Sequence, residues 1–229
     1  GSHAIAPAFS EAMLDRSLSN LGVETIDCYY VHNPETQLQV RSRDAVYDQL
    51  EATFERLERR RAAGDIGMYG VATWEAFRVP RGHGSYLSLP EVVSRAERAA
   101  EAAGADDVGL GAIQLPFNVA MADAFTVSAH AHPDDGEDVS ALTYAQAAGL
   151  DVVASATLAQ GELTSSIPPE IDVELRGDTA AQRAINFARS APGVTTALVG
   201  TSSPDHVPEN VAAGTFEPLG ARAFDGVFE

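Results

Sequence analysis

The chain has 229 residues, 45% of them apolar, and a formal charge of −18 at neutral pH. That is enough apolar surface for one substantial core, and it leaves no basic face with which to displace counterions from nucleic acid or an anionic membrane. All fifteen basic side chains are arginine, so any mechanism drawing on a lysine of these residues is excluded. No run approaches the ~18 apolar residues of a membrane span, and a lone cysteine, Cys28, forms no internal disulfide, which together point to a soluble, cytoplasmic protein.

Taken in chain order, Ser10 is expected to cap a first helix carrying Met13, Leu14, Leu18 and Leu21, with Gly22 ending it. A strand over residues 26–31 follows. Ser42 opens a longer helix with Val46, Leu50, Phe54 and Leu57 on one side. It closes in Arg56, Arg59, Arg60 and Arg61, where cations suit the negative end of the helix dipole. After a second strand over 66–71, Ser88 and Glu91 form a capping box with Pro90 in the first turn, and Gly104 stops that helix. A third strand spans 111–115. Residues 130–138 read as an exposed loop, and a helix over about 137–148 precedes Gly149. A fourth strand at 151–155 leads to a helix opened by Asp178 with Ala181, Ala184, Ile185 and Ala188 along it. A fifth strand at 195–199 runs into a short helix started by Ser203 and Pro204 and ending near Ala213. The apolar but unpatterned tail from Gly214 is expected to drape over the side or mouth.

Strand and helix alternate without hairpin signals, which predicts a parallel sheet, either a barrel or a doubly wound open sheet. The first strand is not followed by G-x-G-x-x-G, which weakens the dinucleotide-binding open sheet. With no linker or repeat dividing it, residues 1–229 are read as a single domain.

In parallel barrels chemistry collects just after each strand. His32 and Asn33 follow the first strand, Thr73 and Trp74 the second, and Gln114 and Asn118 flank the end of the third. The fourth ends in Ser155, Leu158, Gln160 and Gly161, and the fifth in Gly200, Thr201, Ser202 and Ser203. That last turn, entering a helix N-terminus, is either a phosphate cradle or an ordinary cap. His32 is either a proton donor or hydrogen-bond director, or a rim histidine with its bonds satisfied. Trp74 and Phe77 are candidates for the walls of a substrate pocket, with plain packing as the alternative. His130, His132, Asp134 and Asp135 have the composition of a metal cluster, but their place in a polar loop favours a surface loop, and no metal is expected.

Six blocks resemble the aldo-keto reductase family in its own order. Residues 15–27 are similar to its "SL-x-x-LG-x-x-x-ID" segment, and Tyr30-Val31-His32-Asn33-Pro34-Glu35 to the strand that ends in its active-site histidine. Residues 64–71 resemble "GKIRxxGVS", Gln114-Leu115-Pro116-Phe117-Asn118 resembles "Q-x-P-[YF]-N", residues 158–163 resemble "LAQGxL", and residues 199–210 resemble "VGxSSP…EN".

The resemblance implies an aldo-keto reductase (β/α)8 TIM barrel, here incomplete, with about five β/α units and a leading helix. It also implies reduction of a small-molecule carbonyl compound with NADP(H) or NAD(H), with His32 orienting the substrate. Thr73, Gln114, Ser155, Leu158, Gln160, Gly161, Gly200, Thr201, Ser202, Ser203, His206 and Asn210 then fall at cofactor positions, and Trp74 and Phe77 at substrate positions. The family's aspartate, tyrosine and lysine belong to strands upstream of these residues, so the chain by itself is expected not to be redox-active. Its cofactor positions also depart from the pattern. Ala72-Thr73 replaces a Ser-Asn pair, Ser155 stands where a stacking tyrosine is common, and residues 200–210 offer no arginine or lysine to a 2′-phosphate. Gly1-Ser2-His3 is similar either to a cleaved tag or to a Gly-x-His of longer family members, which would make the sequence a piece of a longer one. Two other readings stay open: a shortened non-redox homologue (dehydratase, epimerase or cyclase), or a non-catalytic binding subunit. The open strand edges are expected to be covered by a complementing N-terminal segment or by a homodimer partner.

Overall fold

The computed structural model describes residues 3–228. Five parallel strands, β1 (Ile26–His32), β2 (Ile66–Ala72), β3 (Leu110–Pro116), β6 (Asp151–Ser155) and β7 (Thr196–Ala197), pair in that spatial order. They are adjacent staves of an incomplete parallel barrel, with β1 and β7 at its edges.

One face of the sheet is covered by helices α1 (Pro7–Leu21), α2 (Arg43–Ala62), α3 (Leu89–Ala103), α5 (Ala141–Ala147) and α7 (Ala180–Ser190). Period-2 alternation sends Tyr69 and Val71 of β2, Ile113 and Leu115 of β3, and Val152 and Ala154 of β6 into this layer, all fully buried. They meet Leu50, Phe54 and Leu57 of α2 and Val92, Ala96 and Ala99 of α3 in one hydrophobic cluster. A buried carboxylate fixes the sheet on α2: Glu58 Oε1 accepts from the Tyr69 hydroxyl at 2.9 Å and the Gly109 N–H at 2.7 Å, and Oε2 accepts from Arg61. The alternate face bears Cys28, Tyr30 and His32, and it is only partly buried. The Tyr30 ring lies across β2, where a Cβ on Gly70 would stand 2.6 Å from it and 2.7 Å from the Ala112 carbonyl; only glycine fits there.

Several elements differ from the sequence reading. The first helix starts at Pro7, whose fixed φ suits the first helical position, so Ser10 lies inside the helix and its carbonyl accepts from the Tyr29 hydroxyl. The fifth strand shortens to two residues. Thr179, with Gln182, makes the capping box of α7 in place of Asp178. Helix α5 begins only after Ser140, because the residues before it form a hairpin, β4 (His130–Ala131) with β5 (Asp138–Val139), behind the four-residue α4 (Asp123–Thr126).

The stretch 130–138 is exposed over residues 133–138, as expected, but its first residue is not. His130 is completely buried, donating from Nε2 to the Phe77 carbonyl at 2.9 Å and accepting at Nδ1 from the Leu89 N–H. With both ring nitrogens bonded and the ring stacked on Tyr86, the imidazole is buried without an unmet polar group. Burial pulls its pKa down to about 4. The C-terminal tail is also more ordered than a drape. After the short α6 (Pro169–Asp172) and α8 (His206–Ala212), α9 (Ala221–Asp225) inserts Phe224 among Phe117, Phe125, Phe187 and Phe228.

Candidate functional site

The strand exits are tied to one another. The Asn33 N–H donates to the Ala72 carbonyl at 2.6 Å, Thr73 to Gln114 at 2.8 Å, and Phe117 to Ser155 at 3.0 Å. In register, His32 pairs with Ala72, Ala72 with Gln114, and Gln114 with Val153, so these four lie on one row at the C-terminal ends of the strands. His32 is exposed. Its carbonyl accepts from Nε2 of His3 at 2.7 Å, and the other nitrogen of His3 accepts from Gln37 at 2.8 Å. His3 thus docks against the β1 exit, while Gly1 and Ser2 lie outside the described residues.

Two buried groups at the β2 exit have no partner among the described residues: the Thr73 hydroxyl and Oε2 of Glu35. The other Glu35 oxygen is fully engaged, accepting from the backbone N–H of Trp74 at 2.7 Å and of Glu75 at 3.1 Å. Asn33, in the left-handed region at φ 48°, followed by Pro34, turns the chain sharply enough to bring Glu35 under this loop. Trp74 and Glu35 help to wall a cavity of about 430 Å³. Phe77 does not. It is 1% exposed, sits edge-on to His130, and belongs to the core.

A second cavity, of about 830 Å³, opens beyond the ends of β6 and β7. Leu158, Gln160, Gly161, Gly200, Thr201, Ser202, His206 and Asn210 line it, which brings eight of the expected cofactor positions together. Gln114 stands instead on the strand-end row, Thr73 directly follows Ala72 of that row, and Ser155, paired with Pro116, ends β6 two residues beyond Val153. The loop along one wall is strained: Ala156, Ala159 and Gln160 all have positive φ, at 53°, 46° and 57°. Asn118, fully buried, holds it by donating from Nδ2 to the Ala156 carbonyl while its Oδ1 accepts from Ala120 and Met121. That role for the asparagine of the Gln114–Asn118 block follows from contacts across 38 residues, and sequence spacing gives no sign of it.

The opposite wall departs from a phosphate cradle in one respect. The helix begins at His206, not after Ser203, and residues 201–205 form a turn closed on itself. Within it the Thr201 hydroxyl donates to the Ser203 carbonyl, and the Ser203 hydroxyl accepts from the Asp205 N–H. Ser203 does not line the cavity. The one carboxylate there is Glu209, held below its usual range by hydrogen bonds from Thr179 and His206. Arg189, behind the neighbouring surface, is spent on the Ala213 and Phe216 carbonyls. Among the described residues no cluster of three or more His, Cys, Asp or Glu could hold a metal ion.

The model of the aldo/keto reductase family matches residues 3–86. No curated protein sequence matches the chain. Among solved structures it is similar to the aldo-keto reductase AKR11C1 from Bacillus halodurans, with a TM-score of 0.63 and 19% identity over 99% of this chain and 68% of that one. It is likewise similar to the glycerol dehydrogenase AKR11B4 from Gluconobacter oxydans, with a TM-score of 0.68 and 19% identity over 99% of this chain and 64% of that one. The chain thus spans about two thirds of the length of these structures. It matches the aldo/keto reductase family model over residues 3–86 and shares the fold of these structures over nearly its whole length.

Proposed function

We propose that the chain provides the substrate-orienting histidine and most of the dinucleotide site of an NAD(P)H-dependent carbonyl reductase. The observation that carries this reading is the shared placement at one end of the sheet of an exposed imidazole on the strand-end row and an 830 Å³ cavity walled by a strained loop. The wall at Gly161 and Gly200, where a Cβ would meet nothing within 4 Å, supports this reading by leaving room for a close backbone approach. A bound nicotinamide dinucleotide supplies the hydride. His32 donates an imidazole N–H to the substrate's carbonyl oxygen, and Trp74 walls the substrate side. With no arginine lining the cavity and Glu209 ionised in it, a 2′-phosphate has no cationic partner, so NADH is favoured over NADPH.

Proton delivery needs residues beyond these. The chain has no lysine, and burial raises the pKa of the Tyr30 hydroxyl, making it a weaker acid than a free tyrosine. The same lack favours, as a second reading, a non-redox homologue or a binding subunit. A complementing segment or a second copy at the β1 and β7 edges belongs to the first reading. No described helix is long and apolar enough to cross a membrane, and we place the protein in the cytoplasm.

Trp74 is the chain's only tryptophan, so titrating its fluorescence with NADH and NADPH tests the reading. Saturable quenching, tighter for NADH, is expected. His32→Ala should cut turnover of the complete enzyme while sparing NADH affinity, whereas loss of both would place His32 in the cofactor site. No response to either dinucleotide would leave the non-redox reading.

A further inference from the structure

The loop that walls the 830 Å³ cavity leaves β6 through a strained backbone. Ala156, Ala159 and Gln160 have positive φ, and none of the three is glycine. Residues with a side chain seldom hold that conformation unless surrounding bonds impose it. Two bonds from the exit of β3 lie at the root of the loop: the Phe117 N–H donates to the Ser155 carbonyl at 3.0 Å, and Asn118 donates from Nδ2 to the Ala156 carbonyl at 2.8 Å. The Ala159 N–H meets the same Ala156 carbonyl at 2.8 Å and closes the turn. Asn118 is itself fixed. It is fully buried, and its Oδ1 accepts from the Ala120 and Met121 N–H groups, so a flip of the amide would break both bonds and Nδ2 stays aimed at Ala156. Leu158, Gln160 and Gly161, which line the cavity, follow directly after this joint.

We propose that Asn118 is a positioning residue for the dinucleotide: through the Ala156 carbonyl it holds the cavity loop in its binding conformation before the ligand arrives. The inference rests on the reading of this cavity as a dinucleotide site and adds to it the source of the site's preorganisation. Without the Nδ2 donor, Ala156 relaxes towards negative φ and the residues after it swing away from the cavity. Binding then has to restore the strained form, and the apparent affinity falls with the fraction of molecules still holding it. Asn118 acts here through the loop backbone alone, with no contact to the ligand.

Asn118→Asp isolates the donor, because aspartate still accepts from Ala120 and Met121 but presents an oxygen to Ala156 in place of an N–H. Calorimetric titration should show NADH binding weakened by roughly tenfold, the scale of one lost hydrogen bond. Amide exchange without ligand should quicken over residues 157–161 while Val152 and Ala154 of β6 keep the parent's rates. Ala156→Gly added to Asn118→Asp should recover most of the affinity, since glycine takes a φ of 53° without strain. A general loss of packing would not be repaired by that change. Unchanged NADH affinity or unchanged loop exchange in Asn118→Asp, or a loss that Ala156→Gly leaves as it is, would overturn the proposal. If Asn118→Asp does not fold, the parent's own Asn118 side-chain amide carries the test by NMR: its protons should exchange slowly without ligand, and fast exchange would overturn the clamp. A parent that binds no NADH would remove the dinucleotide reading and this inference with it. A parent that binds NADH no better than Asn118→Asp would remove this inference alone.

Discussion

Lowering the pH should loosen the loop that carries Trp74, through His130. This ring joins the β4–β5 hairpin to Phe77, in the segment between β2 and α3, and to Leu89, the first residue of α3. Burial lowers its pKa to about 4 from an ordinary 6.5. The folded state therefore binds fewer protons than the unfolded chain. Its stabilising effect is complete above the unfolded value and is lost progressively as pH falls from 6.5 towards 4. At about pH 5 the unfolded imidazole is almost wholly protonated and the folded one is not, which costs about 2 kcal/mol relative to neutral pH. With 33 acidic residues, acid destabilisation has other sources, so the comparison is with His130→Gln. Glutamine can donate to Phe77 and accept from Leu89 without titrating. Urea unfolding of both proteins at neutral pH and at about pH 5 should show the parent losing about 2 kcal/mol more than the variant. Parallel losses, or an NMR titration of His130 near the free value, would refute the reasoning.

Glu58→Ala should destabilise the fold by about 2–6 kcal/mol, since it strands two buried donors at about 1–3 kcal/mol each while Arg61 keeps Asp107; a urea midpoint close to the parent's would contradict the buried network. Phe224→Ala should cost about 3–5 kcal/mol, the range for emptying a packed aromatic site. A loss of a few tenths would mean that the tail does not join the core as described.

The parts of this molecule that are legible in its sequence are those governed by local rules. Ser42 and Ser88 cap their helices by accepting the N–H three residues on. Glu91, however, bonds Arg95 and does not complete the expected capping box, while the Ser88 N–H goes to the Tyr47 hydroxyl. Gly22 and Gly104 end their helices in the left-handed conformation, and the buried runs become adjacent parallel strands. What sequence reading missed depends on partners far along the chain. His130 reads as polar loop until Phe77 and Leu89, 53 and 41 residues away, satisfy both its nitrogens. Glu35 enters the sequence reading only as the last residue of the Tyr30–Glu35 block, and its burial follows from the β2 exit folding over it, 39 residues on. The cofactor positions divide in the same way. Those in the last two loops converge through strand order, but Ser203, a good helix cap by composition, closes a turn of its own because Thr201 competes for its backbone. Phe77, aromatic and near a strand end, goes into the core because the His130 ring lies against it.

The proposed function requires the cavity at the ends of β6 and β7 to be a dinucleotide site. Amide hydrogen exchange with and without NADH tests this most directly: protection should appear in residues 156–161 and 198–202 and at Thr73. Protection confined to other segments, or none at saturating NADH, would contradict it.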